Sequence, residues 1–350
     1  MTRPGLTIAL LTGLAQFGAI EAWADGALPQ ACVQRLAGKP ITLVVPNAAG
    51  GGFDIYARAL APVVERISGV PVRVANMPGG GGKAALLRVA DAPPDDAVML
   101  IENSGDVVAE LREDSSLGHS PEDLHVLGAI LVEPDAWIGR PDLDLTAPDL
   151  PALVAAVSSV DANLAVVGLV AQATGLTVHF VSGYKSSGEQ VAAIMRGEAD
   201  FSPKSLGTAV QVAKSGDAKP LLVLSDGPVA SLPGVPWLVG EGSFLAQRSA
   251  NLTTEQRAKQ DQLARLAVEL SSGARMLFVS AQMQAETQDC LTSALDAALV
   301  DPAFSDAALA QGRPVTPKSA AEASEIYHDK IRAYTEAAPV LAELANQIQP

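Results

Sequence analysis

Short runs of uninterrupted apolar residues alternate along the chain with stretches in which apolar positions recur every three or four residues. The first kind of run predicts strands buried on both faces, and the second predicts amphipathic helices. Ile41–Val45 is such a strand, ended by Pro46. Behind it Tyr56, Leu60, Val63, Val64 and Ile67 keep helical spacing until Gly69 stops them. Val72–Val74 and Val98–Ile101 are further strands, with a helix over Lys83–Ala90 between them and a strand-to-helix turn at Asn103-Ser104-Gly105-Asp106. Ile130-Leu131-Val132 and Trp137-Ile138 follow, then Pro141 and Pro148 mark a crossing into a second domain. Its strand candidates are Leu164–Val167, Val178–Val181 and Leu221–Leu224, with a helix over Ser187–Arg196 and Ser187 as its N-cap. A polar helix spans about Thr254–Leu270, a strand Met276–Val279 and a helix Glu286–Val300. Ser319 and Glu322 form a capping-box pattern that opens a last helix. Strands that alternate with helices in this way predict an α/β fold whose sheets are mostly parallel and flanked by helices.

The N-terminus is separate. Arg3, the mostly apolar run Leu6–Ile20 and Ala22-Trp23-Ala24 have the three parts of a secretory signal, with cleavage expected after Ala24. The run is too short and too interrupted to span a membrane comfortably. Pro29-Gln30-Ala31 ahead of Cys32 lacks the leucine of a lipid-attachment sequence, so no lipid anchor is expected. The expected organisation is a signal peptide over 1–24, a first domain over 25–135, a second over 136–225, and a return to the first over 226–350. At 350 residues, two cores of ordinary size are expected.

Composition narrows the function classes. Apolar residues make up 48% of the chain and charged ones 18%, which describes a globular protein and not a disordered one. The formal net charge of −15 argues against nucleic acid and anionic membrane surfaces as partners. It does not exclude a small anionic ligand, which responds to local N–H groups more than to distant screened charge. The two cysteines, Cys32 and Cys290, are either a disulfide suited to an oxidising compartment or two separate thiols. The four histidines, His119, His125, His179 and His328, lack metal-ligand spacing, and no Gly-x-Ser-x-Gly elbow occurs. Neither an enzyme nor a cofactor is expected.

Two glycine-rich loops carry the chemistry. Pro46-Asn47-Ala48-Ala49-Gly50-Gly51-Gly52-Phe53-Asp54 joins a strand to a helix, with Asp54 as the natural N-cap. Glycines let a ligand approach the main chain, and the opening N–H groups of a helix carry partial positive charge without internal partners. This makes an anion site that needs no Lys or Arg. Asn76-Met77-Pro78-Gly79-Gly80-Gly81-Gly82-Lys83 repeats the plan, and adjacent parallel strands would bring both helix starts to one sheet edge. A phosphate-binding loop fails here, because Met77 stands where its first glycine belongs and Ala84 follows Lys83. A dinucleotide fingerprint fails as well, at Ile55.

Lys39–Pro46 with Gly50-Gly51-Gly52-Phe53-Asp54, followed by Asn76–Gly82, resembles the receptor family of tripartite tricarboxylate transporters, the Bug proteins. Phe53 is similar to the residue in the tricarboxylate-binding branch. Weaker likenesses follow in order through Gly183-Tyr184-Lys185, Gly197–Asp200, Leu232–Pro236, Glu241-Gly242 and Leu295–Gly312. The resemblance implies a monomeric periplasmic Venus-flytrap protein that passes a small carboxylate to membrane subunits. Di- or tricarboxylates are expected first and aromatic carboxylates second. By position it implies a site from Asn47, Ala48, Gly50, Gly51, Gly52, Phe53 and Asp54, with Pro78, Gly79, Gly80 and Gly81 from the second loop. Ser104 and Gly105 form a third wall. Tyr184, Ser186 and Ser187 either hold the distal end of the ligand or cap a helix.

Two departures from the family pattern stand out. The loop after the first strand of the second domain looks shortened, since Leu164–Gly168 runs straight into Leu169-Val170-Ala171. Ala246–Ser272 is longer and more polar than the family needs, either a surface helix without a role or a partner contact. These departures motivate an alternative role on the same scaffold: a sensory protein signalling to a membrane kinase.

Overall fold

A computed structural model describes residues 28–147, 149–157 and 160–347. The signal sequence and its cleavage site at Ala24 lie outside the described residues. The first half runs α1 (Gln30–Leu36), β1 (Ile41–Val45), α2 (Gly52–Ser68), β2 (Val72–Asn76), α3 (Lys83–Ala90), β3 (Val98–Asn103), α4 (Ser104–Glu113) and β4 (Leu124–Glu133). Pro134 then leads into β5 (Asp135–Gly139), β6 (Leu153–Ala156), α5 (Val160–Thr174), β7 (Val178–Val181), α6 (Ser187–Met195), β8 (Phe201–Ser205), α7 (Leu206–Ser215) and β9 (Lys219–Val223). The chain ends with α8 (Phe244–Arg248), α9 (Thr254–Ser271), β10 (Gly273–Ser280), α10 (Ala285–Leu299), α11 (Pro302–Ala310) and α12 (Ala320–Gln347).

Two five-stranded sheets result, ordered β2-β1-β3-β10-β4 and β7-β6-β8-β5-β9. In the first, β1 is parallel to β2 and β3, and β10 is antiparallel to β3 and β4. In the second, β6 is parallel to β7 and β8, and β5 is antiparallel to β8 and β9. Each sheet therefore has four strands pointing one way and one, in the fourth place, pointing back. The expected α/β architecture of two mostly parallel sheets is present. It also contains a structural repetition that no sequence repeat announces: β1→α2, β3→α4 and β2→α3 in one half correspond to β6→α5, β8→α7 and β7→α6 in the other. Helix starts after parallel strands thus gather at one edge of each sheet, where such folds bind ligands.

The core explains why these residues form these elements. Ile41, Leu43, Val44 and Val45 are buried, with helices covering both faces of β1. On α2 the apolar stripe Tyr56, Leu60, Val63, Val64 and Ile67 packs under the sheet, and Gly69 ends the helix at φ 73°, a conformation that side chains resist. Cys32 on α1 and Cys290 on α10 form a disulfide, with Cα atoms 5.2 Å apart. This bond ties the start of the described chain to its last third.

Three expectations need correction. Leu164–Val167 is not a strand; it lies inside α5, and the first strand of the second half is β6. An unbroken apolar run fits a buried helix as well as a buried strand, and α5 is enclosed by α4, α9 and α12. The strand-to-helix connection therefore follows Ala156 and not Gly168, so the supposed shortening at Gly168 was measured at the wrong place. Ser187 is not the cap of α6; Ser186 is, its hydroxyl accepting from the Glu189 N–H at 3.2 Å. Asp54 does not cap α2 either. The N-cap is Gly51, and Asp54 sits in the first turn, reaching back to the Gly50 N–H at 2.8 Å.

The polar helix α9 proves to be a cover. Its Leu263, Ala264, Ala267 and Leu270 are buried against α5, while Glu255, Arg257 and Lys259 face water. Lys330 of α12 donates to the Glu269 and Leu270 carbonyls at the end of α9, where helix carbonyls lack partners.

The disulfide is the feature most open to a direct test. Replacing both Cys32 and Cys290 by serine is expected to lower unfolding stability by about 2–5 kcal/mol. Urea titration followed by circular dichroism measures it, and an unchanged midpoint would show that packing alone holds α1.

Candidate functional site

A cleft of about 160 Å³ opens between the two sheet edges. A water needs roughly 10–15 Å³ by this measure, so the space suits a small organic molecule. From the first half it is lined by Asn47, Gly51, Gly52 and Phe53 of the first glycine loop, Asn103 and Asp106 at the start of α4, and Arg275 of β10. Asp135 lies at the crossing. From the second half come Val157, the turn Lys185-Ser186-Ser187, Gln190, and Pro203, Lys204, Ser205 and Thr208 around the start of α7. These are the corresponding loops of the repeated plan, set face to face.

The first loop is held rigidly from behind. The Asp54 carboxylate accepts from the Gly50 N–H and from Arg58 Nε at 2.9 Å. Arg58 also donates to Asn76 Oδ1, whose amide donates to the Asn47 carbonyl at 3.0 Å. Burial pushes the Asp54 carboxyl up, but bonds from Arg58, the Gly50 N–H and Asn76 outweigh it and leave it below its ordinary value. With its carboxylate so engaged, Asp54 leaves the opening of α2 uncovered. The first internal bond is Ile55 N–H to the Gly51 carbonyl, so the N–H groups of Gly52, Phe53 and Asp54 have no helical partner. Two of these three residues line the cleft, at the positive end of a 17-residue helix. Gly50 takes φ 83°, the backbone reversal that the loop needs.

Positive charge backs this opening. A Cβ on Gly52 would meet the Arg313 guanidinium at 3.4 Å, and Arg313 also donates to Thr208 Oγ1 at 3.2 Å, across the cleft. The Arg275 guanidinium lies 5.4 Å from the Phe53 ring centroid and 5.2 Å from that of Tyr56. Arg275 in turn donates to Glu133 Oε1 at 2.6 Å, with both side chains 8% exposed. The other Glu133 oxygen accepts from the Gly207 N–H at 2.9 Å, in the first turn of α7. One carboxylate at the end of β4 therefore joins the first sheet to a helix of the second.

The cleft floor holds titrating groups. Withdrawal from bulk water, then the neighbouring Glu110, pushes the Asp106 carboxyl up, although the residue is exposed at the cleft. Burial, followed by Asp106 and Glu133, raises Asp135 to about 8. Lys204 is buried and donates to Gln190 Oε1; burial lowers it to about 7 against the pull of Asp135 and Asp106. Sequence reasoning missed Asp106 as a cleft group, and with it Asp135, Gln190, Lys204, Thr208 and Arg275. Their positions follow from strand pairing, which no local pattern encodes; only the buried charge in β8 and β10 was a usable signal.

The expected site residues fall into two groups. Asn47, Gly51, Gly52, Phe53, Ser186 and Ser187 meet at the cleft. Ala48, Gly50 and Asp54 shape the loop without lining it. Pro78, Gly79, Gly80 and Gly81 are exposed and stand outside the lining of this cleft, while a Cβ on Gly82 would meet Pro46. Ser104 is fully buried against β10, and Gly105 bonds the Asn103 side chain, so the third wall is made by Asn103 and Asp106. Tyr184 packs on the apolar cluster under the second sheet, while its neighbour Lys185 lines the cleft. Ser186 both lines the cleft and caps α6. Among the described residues no cluster could hold a metal ion, and no helix is long and apolar enough to cross a membrane.

Comparison with known proteins places this geometry among others like it. A UPF0065 protein of Agrobacterium vitis is 31% identical over 216 residues, covering 59% of this chain and 62% of that protein. The chain therefore matches about three fifths of that relative's length. BugT of Bordetella pertussis is 27% identical over 227 residues, 59% of this chain and 68% of its own. No family model matches the chain. Among solved structures, periplasmic binding protein BugD superposes with a TM-score of 0.62 at 20% identity, covering 86% of this chain and 98% of that one. MatC of Rhodopseudomonas palustris, with bound malate, gives 0.65 at 20% identity over 85% and 98%. An R. palustris protein with adipate gives 0.68 at 18% over 87% and 98%. At these identities the structures speak to the fold.

The Glu133–Arg275 pair should behave as a buried couple. Arg275→Met strands the carboxylate and is expected to cost about 3–5 kcal/mol of stability. Adding Glu133→Gln should recover part of that loss, which a double-mutant cycle in denaturant measures directly.

Proposed function

We propose, from the premise that this chain belongs to the Bug family of tripartite tricarboxylate transporter receptors, that it is an exported receptor whose cleft captures a small carboxylate for membrane subunits. The observation that carries the reading is the start of α2, where Gly52 and Phe53, whose N–H groups have no helical partner, line the cleft. A carboxylate there gains the helix field and charge-assisted hydrogen bonds without a protein cation having to move. The two sheets, each with the helices packed on it, act as two domains that close on the ligand across the Pro134 crossing, with α8 and α9 packed on α5 of the second. Loop 47–53 holds the common carboxylate; the Ser186, Gln190 and Thr208 side reads the rest. One chain supplies both walls, so a monomer suffices. On this reading the protein is a receptor and not an enzyme. An oxidising location, the periplasm after removal of 1–24, is supported by the Cys32–Cys290 bond.

MatC with malate and the relative with adipate make short dicarboxylates the first ligands to try. In a thermal-shift screen of the mature protein, a true ligand at a hundredfold excess over Kd should stabilise it by about 2.7 kcal/mol. No response to any carboxylate would sink the reading. Gly52→Pro offers a sharper check. Proline is tolerated at the first helical position, and Gly51 at φ −74°, ψ 170° already has the backbone that a following proline requires. The variant should fold, yet bind a carboxylate roughly tenfold more weakly, as expected for one lost bond to a charged group. Calorimetric titration of both proteins reads that ratio.

A further inference from the structure

The two halves meet along two flanks of different chemistry. On one, α4 and α12 of the first half pack against α5 of the second, and α9 completes the group as a fourth helix. Val108 and Leu111 of α4, Val167 and Val170 of α5, Leu263 of α9 and Ile331 of α12 lie in one apolar cluster. The same cluster takes in residues of β3 and β8, so a single core runs through this flank from sheet to sheet. Polar ties secure its ends. Lys330 of α12 donates to the Leu270 carbonyl of α9 at 3.2 Å, and Arg248 of α8 donates to the Thr174 carbonyl of α5 at 2.6 Å.

The other flank is polar. There α7, the counterpart of α4, starts at the crossing, where the Leu206 N–H meets the Pro134 carbonyl and the Gly207 N–H meets Glu133. Beyond that start, side chains hold it to the first half. Arg313 donates to Thr208 Oγ1 at 3.2 Å, and Gln211 donates to the Gly312 carbonyl at 2.8 Å. All four of these residues are half-buried, within reach of water.

These flanks differ in what it costs to part them. Separating the four helices exposes packed apolar side chains, and an interface of that kind makes two units move as one. Separating α7 from residues 312 and 313 exchanges hydrogen bonds for water at small net cost. The polar stretch Ala246–Ser272, which departs from the family pattern, supplies the helix that makes the first flank so extensive.

We infer that α9 is a brace. It fuses α5 to α4 and α12, so the halves swing about that flank and the cleft opens at the opposite one, where α7 leaves the segment 312–313. Arg313 stands against Gly52 as well as Thr208, so the parting flank borders the first glycine loop and admits a ligand beside the start of α2. The inference concerns how the halves move, and it holds whichever ligand the cleft takes.

Pulsed electron–electron double resonance between nitroxide pairs tests it on the full mature chain with the Cys32–Cys290 bond intact. One pair, Ala307→Cys on α11 with Lys214→Cys on α7, spans the polar flank. The other, Arg112→Cys on α4 with Thr177→Cys just after α5, spans the apolar one. All four positions are exposed. Adding Gln211→Leu and Arg313→Gln should lengthen the first distance by more than about 2 Å, the scale of a domain movement, and leave the second within its native spread. Lys330→Met, which removes the tie between α12 and α9, should broaden the second distance instead; an unchanged one overturns the role given to α9. Should that variant fail to fold, the latch variant decides alone. Lengthening at both flanks alike, at the apolar flank only, or at neither overturns the one-sided opening.

Discussion

The structure turns on a carboxylate that belongs to both halves. Glu133 ends the last strand of the first sheet before the chain crosses, and it is bound on one side by Arg275 and on the other by an N–H of α7. The Leu206 N–H donates to the carbonyl of Pro134 between them, at 3.2 Å. A charge this deeply buried is tolerated only when its lone pairs are satisfied. Those bonds fix where the second sheet begins relative to the first. The cleft is the space this junction leaves open.

Everything else in the site builds on that placement. Two sheets with the same strand order present matching sets of strand-to-helix loops, and the crossing turns the sets toward each other. Glycines shape the loop before α2, so a ligand there meets backbone. The corresponding loops of the second half offer Ser186, Ser205 and Thr208, of which Ser186 and Ser205 also cap α6 and α7. On the receptor reading, backbone recognition is generic toward carboxylates, and the side chains of the facing half supply the choice.

A second tie joins the two halves. Arg313 reaches Thr208, Gln211 donates to the Gly312 carbonyl at 2.8 Å, and the Tyr56 hydroxyl donates to the Pro314 carbonyl at 2.6 Å. This strap runs from α11 back toward α12, so the chain contacts the second half again after returning to the first. On the same reading, closure bends the Pro134 crossing while the strap limits how far the halves separate. Short-range polar bonds suit such a role, because they exchange for water at small net cost.

Much of this was legible in the sequence. Ile41–Val45 and Lys83–Ala90 form as their apolar patterns and flanking glycines and prolines require, and the first glycine loop opens a helix toward the cleft. These are local effects: backbone freedom, side-chain spacing and the unpaired N–H groups of a helix start. The sequence could not separate the buried helix α5 from a strand, because an apolar run surrounded by protein on all sides carries no periodic mark. Nor could it show that the second glycine loop stands outside the lining of the cleft. It gave no sign that Asp106, Asp135, Lys204 and Arg275 share one space, since those four sit on different elements 29 to 169 residues apart. Their meeting depends on which strands pair across the sheets and on the crossing at Pro134. Tertiary contact alone decides such pairings, and with them which side chains line the cleft.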